Sequence, residues 1–246
     1  MKKIYFTITD DALLEDKSLH PQPMQKFIPK WFRNIPTDII STDEHAQVFE
    51  HLRGGITVKT CPSFIDIYKE GYVLLAPQDY LFRVEENGEW TWRTPTEFEN
   101  LCPENKQVEH HANFQFVNHL PKEAGVKKVF KIILPMSMHL PKGYSIRQMP
   151  IPYTYNEDWD IAYGVYKADK VNQVNLQLLY KSDKEELLIK QGTPLCVYVP
   201  FKREKFIYSV VSNKKKKFRK KDYIYKVRQN GKFRSAYYRD GLHKEW

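Results

Sequence analysis

Apolar and polar residues alternate over short stretches of this chain, and proline, glycine or asparagine interrupts the alternation every ten to fifteen residues. That period and that punctuation predict short strands. Lys3 to Thr9 reads as a strand with Ile4, Phe6 and Ile8 on one face. From His20 to Pro36, prolines at 21, 23, 29 and 36 exclude a long helix, and Trp31 and Phe32 make free disorder costly. This segment is expected to lie as a strap across the body. Ile56 to Cys61 reads as a strand. Pro62 to Glu70 reads as a short helix, with Ser63 as its cap, Phe64, Ile67 and Tyr68 at helical spacing, and Gly71 closing it before a strand at Tyr72–Leu75. Leu81–Glu85 and Glu89–Arg93 form a hairpin across Asn87-Gly88, a pair that accepts the positive φ angles of a type I′ turn. Beyond a polar loop near 100–110, strands are expected at Val129–Leu134, Tyr144–Met149, Ile161–Tyr166, Leu176–Tyr180 and Leu195–Val199.

Two turns add detail. Gly192-Thr193-Pro194 follows the apolar Leu187-Leu188-Ile189 and suits a strand-to-strand junction, Gly supplying the dihedral and Pro fixing φ before the next strand. Pro62…Gly71-Tyr72…Pro77 is echoed by Pro135…Gly143-Tyr144…Pro150, read as recurrent turn chemistry rather than duplication. The whole predicts a mainly β protein, a β-sandwich or double-stranded β-helix-like body with few short helices. Residues 1–55 carry the N-terminal strand and strap, 56–213 the β-rich body, and 214–246 a C-terminal appendage.

Composition agrees. Aromatic residues make up 14%, with 16 Tyr and 14 Phe, and the 15 prolines are poor tenants of helix interiors. Cys61, Cys102 and Cys196 form no CxxC pair and read as core hydrophobes in a reducing compartment. No apolar run reaches the roughly 18–20 residues that span a membrane, and Asp10 and Asp11 cut the apolar start short of a signal-peptide core, so no membrane contact is expected.

Charge is segregated. Residues 214–246 hold 13 of the 39 Lys and Arg and sum to +10, while the 213 residues before them sum to −1. Within this tail Lys214, Lys215, Lys216, Lys217, Arg219, Lys220, Lys221, Arg228 and Arg234 are interleaved with aromatics such as Tyr223. Such mixtures bind nucleic acid by phosphate neutralisation and stacking, or dock on a partner protein with the aromatics buried. Asn230-Gly231 allows either a hairpin or a Lys-rich helix capped by glycine.

Catalytic motifs are sparse. Double-stranded β-helix proteins often hold iron through His-x-Asp/Glu and a distant His. Here that triplet occurs only at His243-Lys244-Glu245, outside the β body. The remaining candidate is the histidine cluster at 110–119. His111, Gln115 and His119 share a face if helical; His111, Asn113 and Gln115 do if extended. Either set could line a metal site or polar pocket, and the alternative is a solvated loop, so no cofactor is expected. Trp90 and Trp92 alternate on the hairpin as a candidate stacking platform for sugar or base, with core packing as the rival.

Several segments in succession resemble a family of uncharacterised proteins of tailed, marine T4-like phages, with distant bacterial relatives of unknown function. They are Pro29–Pro36, Thr57–Asp66, Phe130-Lys131 with Pro141–Ser145, and Ile189–Leu195 with Pro200–Glu204. The resemblance runs from Lys30 to Glu204 and leaves out the basic tail. It implies a phage origin and a β-rich fold but carries over no catalytic residue. The expected function is a non-enzymatic binding or structural protein, acting in virion assembly or host takeover, in the host cytoplasm or the virion. Its partners would be other phage proteins, further copies of itself, or nucleic acid. The runner-up is a divergent double-stranded β-helix enzyme with a site near His111 and Gln115.

Overall fold

The structure, a computed structural model, describes residues 2–36, 57–85, 89–95 and 107–210. Their strands are β1 Tyr5–Ile8, β2 Gln22–Pro23, β3 Tyr72–Leu75, β4 Tyr80–Val84, β5 Trp90–Arg93, β6 Val108–His111 and β7 Lys128–His139. They continue with β8 Tyr144–Met149, β9 Trp159–Ile161, β10 Gly164–Tyr166, β11 Gln173–Tyr180, β12 Glu186–Ile189 and β13 Pro194–Lys202. The three α-helices among these residues, α1 Asp11–Glu15, α2 Lys30–Asn34 and α3 Pro62–Asp66, are single turns.

Met1–Thr37 and Val58–Arg203 form one compact unit. A second comprises Asp38–Thr57 and Glu204–Trp246, of which only Thr57 and 204–210 are described.

The pairing is antiparallel throughout. In the first sheet, β1 and β6 share one edge of the long β7, whose other edge pairs with β11 and then β9. The second sheet runs β10-β8-β13-β3-β2, and a third runs β12-β4-β5. Two ribbons pass between sheets: β3–β4 pairs with β13–β12, and β7–β8 pairs with β11–β10. Such nested ribbons give the mainly β, sandwich-like body with few short helices expected from the strand spacing.

Pattern explains placement. On β7, Phe130, Ile132, Leu134, Met136 and Met138 alternate into the core, opposite Val174, Leu176, Leu178 and Tyr180 of β11. β3 and β13 instead read as unbroken apolar runs because both faces of their sheet are covered. Leu74, Cys196 and Tyr198 face the main core, while Val73, Leu75 and Val197 join a second cluster with Met24, Tyr68 and Ile151. The strap expected from the prolines supplies part of that outer cover, through Met24, Phe27 and Ile28.

Some local expectations need correction. Within the proposed strand Ile56–Cys61, the described residues form a 3₁₀ turn at Val58–Thr60. Pro62 takes the first helical position, where its missing N–H costs nothing, so Cys61 rather than Ser63 caps α3 and the chain before it must turn. Ile161–Tyr166 is two strands, because the chain changes sheets at Ala162: β9 pairs with β11, and β10 with β8. The loop near 100–110 ends in a strand, β6, with Val108 buried against Ile132. Gly71 and Gly143 both adopt positive φ, and the strands they open, β3 and β8, flank β13. The Asn87-Gly88 turn lies outside the described residues; the strands on either side of it pair as expected.

Candidate ligand cleft

Beyond β8, Pro150 and Pro152 end the ladder, since neither can donate a hydrogen bond. Ile151-Pro152-Tyr153-Thr154 is a turn closed by Thr154 N–H to Ile151 O at 3.3 Å, with Thr154 Oγ1 donating to the same oxygen at 2.7 Å. Proline at the second position and a positive φ at the third is the type II pattern, whose third position favours glycine. Here it is Tyr153, at φ 59°.

Aromatic residues from the strap, from α3 and from the 3₁₀ turn Ile67–Lys69 after it hold that turn. Trp31 Nε1 donates to Tyr153 O at 3.0 Å, and Tyr68 OH donates to Pro152 O at 2.8 Å. The Tyr153 ring stacks on Phe64 at 5.0 Å and meets Trp31 edge-on at 6.3 Å. Burial, with the Tyr153 and Tyr155 phenols nearby, pushes the Tyr68 pKa up to about 12, so this clamp keeps its proton at any physiological pH.

The segment leading to β9 is acidic and preset. Asn156 Oδ1 accepts from the N–H groups of Asp158 (2.9 Å) and Trp159 (3.3 Å). Asp158 accepts from Ser182 Oγ at 2.7 Å and Lys184 Nζ at 2.7 Å. Asp160 accepts from Ile161 N–H at 2.8 Å and Lys181 Nζ at 3.2 Å. The bonds from Lys184 and Ser182 hold the Asp158 carboxyl below the usual carboxylate range, and Asp158 in turn raises Lys184.

These residues wall a cleft of about 790 Å³, with Phe27, Ile67 and the Thr193–Leu195 start of β13 on its other sides. Tyr155 and Tyr163 also line it, yet remain 85% and 77% exposed. Glu157, Asp158 and Asp160 line it as well, and among the described residues no Lys, Arg or His does.

The residues singled out from the sequence lie elsewhere. His111 ends β6; Gln115 Oε1 accepts from Ala112 N–H at 2.9 Å as a cap; the His119 ring bonds Phe114 O at 2.8 Å. The described residues contain no group of three His, Cys, Asp or Glu suited to a metal ion. His110, beside β5, is lowered by burial and by the neighbouring Lys128 and His111 charges. The Trp90 ring meets Phe130 at 5.7 Å and Tyr180 at 4.6 Å, and Trp92 meets Phe130 at 6.2 Å and His110 at 5.6 Å. Both indoles therefore pack against the core. Cys196 is fully buried, where desolvation raises its thiol pKa, while Cys61 sits half-buried before α3. The tail contacts, Lys214 through Arg234, lie outside the described residues.

Between the sheets sits a polar network. Tyr198 OH donates to Gln148 Oε1 at 3.1 Å, and Gln148 Nε2 donates to Ala162 O at 2.8 Å. Tyr166 OH faces three oxygens with one proton, and the nearest is Asn175 O at 2.8 Å. The network ties β8, β10, β11 and β13 together, away from His111 and Gln115.

No protein-family model matches the chain, and no curated protein is significantly similar to it. The cleft residues Tyr153, Tyr155, Asp158, Asp160 and Tyr163 went unnoticed in the sequence, although they alternate aromatic with acidic or amide groups directly after two prolines.

Proposed function

We propose that this chain is a non-enzymatic binding protein that holds a segment of another macromolecule in the cleft beside the Pro150–Asp160 loop. The observation that carries the reading is the preset loop. A tyrosine is kept at φ 59° by a ring stack and by hydrogen bonds to its own carbonyl and to the preceding one. Backbone strain of this kind persists where surroundings over-determine it, characteristically at ligand clamps. A cleft of this size falls within the roughly 300–1,000 Å³ usual for ligand sites. The basic tail adds a second contact, to nucleic acid or to a partner protein. Resemblance over Lys30–Glu204 to proteins of tailed phages supports a setting in virion assembly or in the infected cell.

A photo-crosslinking amino acid at Tyr155 tests the reading, with the same substitution at exposed Leu188 of β12 as control. Adducts to one defined macromolecule should form at position 155, disappear with Tyr163→Ala, and not form at 188. Equal labelling at both positions would refute it.

A further inference from the structure

We infer that the cleft binds a neutral oligosaccharide chain, an assignment that rests on reading the cleft as a binding site. Three features select this chemistry. First, the cleft bears Tyr155 and Tyr163 with most of their surface in water. An exposed phenol ring offers an apolar face and a polar tip. A pyranose matches it, with C–H groups on its faces and hydroxyls around its rim.

Second, the carboxylates are already oriented and largely compensated. Glu157, Asp158 and Asp160 contribute three negative charges, and Lys181 and Lys184 are paired with two of them at 3.2 and 2.7 Å. A carboxylate offers about four lone-pair sites, and Asp158 and Asp160 each use two, so both can still accept hydroxyl protons. A polycation would have to compete with those two lysines for the same oxygens. A phosphate or sulfate would meet three acids, and the two lysines beside them, Lys181 and Lys184, are already bonded to Asp160 and Asp158. The ligand that gains from fixed acceptors without needing a net opposite charge is a neutral polyol.

Third, the loop is rigid before binding. The Asn156 turn and the Tyr153 clamp fix the backbone on both sides of Tyr155. Association therefore loses less conformational freedom than it would at a loose loop. At about 790 Å³ the cleft has room for more than one sugar ring.

Full-length protein on a printed glycan array of neutral, acidic and amino-sugar polymers tests the inference, followed by titration of the best soluble hit. A neutral oligosaccharide should bind, Tyr155→Ala and Tyr163→Ala should each weaken it about tenfold, and melting temperatures should stay near wild type because both rings are exposed. Tyr163→Phe should bind within about twofold of wild type, the ring face being retained. Oligolysine and single-stranded DNA are probed in parallel by hydrogen exchange at 150–163. A blank array with oligolysine protecting those amides overturns the saccharide inference and leaves the binding reading standing. A blank array with no probe protecting them removes both. Glycan binding unaffected by either tyrosine substitution also overturns the inference, since the sugar would then sit elsewhere.

Discussion

Replacing Tyr153 by alanine and by glycine separates what its ring contributes from what its backbone costs. At φ 59° a residue with a Cβ carries a penalty of about 1–2 kcal/mol. Its ring makes two aromatic contacts, with Phe64 at 5.0 Å and Trp31 at 6.3 Å, each worth about 0.5–1.5 kcal/mol. Alanine loses both contacts and keeps the penalty, so it should destabilise by about 1–3 kcal/mol. Glycine loses the same contacts but removes the penalty, offset in part by about 0.5–1 kcal/mol of extra freedom in the unfolded chain. The Trp31 and Tyr68 hydrogen bonds go to backbone oxygens and survive in both variants. Glycine should therefore be the more stable by about 0.5–1 kcal/mol, the reverse of the order in a helix or strand. A difference of about 1 kcal/mol moves the melting temperature of a chain this size by about 2–4 °C, within reach of thermal unfolding followed by near-ultraviolet circular dichroism. An alanine variant melting at or above the glycine variant would refute the strained-clamp account of the cleft.

Four further outcomes are expected. A Cβ at Gly71 would lie 2.5 Å from Tyr198 O at φ +82°, whereas one at Gly192, φ +78°, meets nothing nearer than Leu19 Cδ2 at 3.9 Å; Gly192→Ala should cost about 1 kcal/mol by urea denaturation and Gly71→Ala about 3 kcal/mol or more, and equal costs would contradict the packing of β3 on β13. Asp169, bonded by Arg203 and by Gly143 N–H, is held well below the usual carboxylate range; its contribution is complete above about pH 4 and is lost as pH falls through the depressed native value, so Asp169→Asn should lower the neutral-pH melting temperature and flatten the acid limb. His111→Ala should shift stability by less than about 0.5 kcal/mol and release no stoichiometric metal by elemental analysis; iron or zinc lost with that change would revive the enzyme reading. Ending the chain at Asn213 should leave the melting transition in place and abolish salt-sensitive DNA binding measured by fluorescence anisotropy.

Strand positions were legible because alternation is a local signal, and β8 was read with its observed ends, Tyr144 and Met149. What failed was local pattern overridden by neighbours. Ile56–Cys61 looks extended until Pro62 is given its place at a helix start, and its described residues turn at Val58–Thr60 instead. Ile161–Tyr166 looks continuous because its apolar residues run on across the change of sheet at Ala162, and only Gly164 hints at a break. The cleft was invisible for a different reason: it joins residues such as Phe27, Ile67, Tyr163 and Thr193 that only the fold brings together. The histidine cluster drew attention through residue type alone, and its Gln115 and His119 bond to backbone groups of their own loop.

The two regions that carry function in this reading obey different physics. The tail, +10 within residues 214–246, would bind nucleic acid through phosphate neutralisation and counterion release, with an affinity that falls steeply with salt. The cleft presents acids whose charges are mostly met by Lys181 and Lys184, leaving hydrogen bonds and ring faces as its means of recognition. Those contacts act at van der Waals range, well inside the screening length of about 8 Å at physiological ionic strength. Salt should therefore separate the two: a ligand gripped in the cleft is expected to hold at salt concentrations that strip nucleic acid from the tail. The near-neutral body makes this possible, because at −1 over 213 residues it neither attracts nor repels a polyelectrolyte strongly. The cleft sits where strand alternation breaks down, at Pro150 and Pro152. The residues that end the ladder at β8 are the ones that set Tyr153 and Tyr155 just beyond the end of that strand.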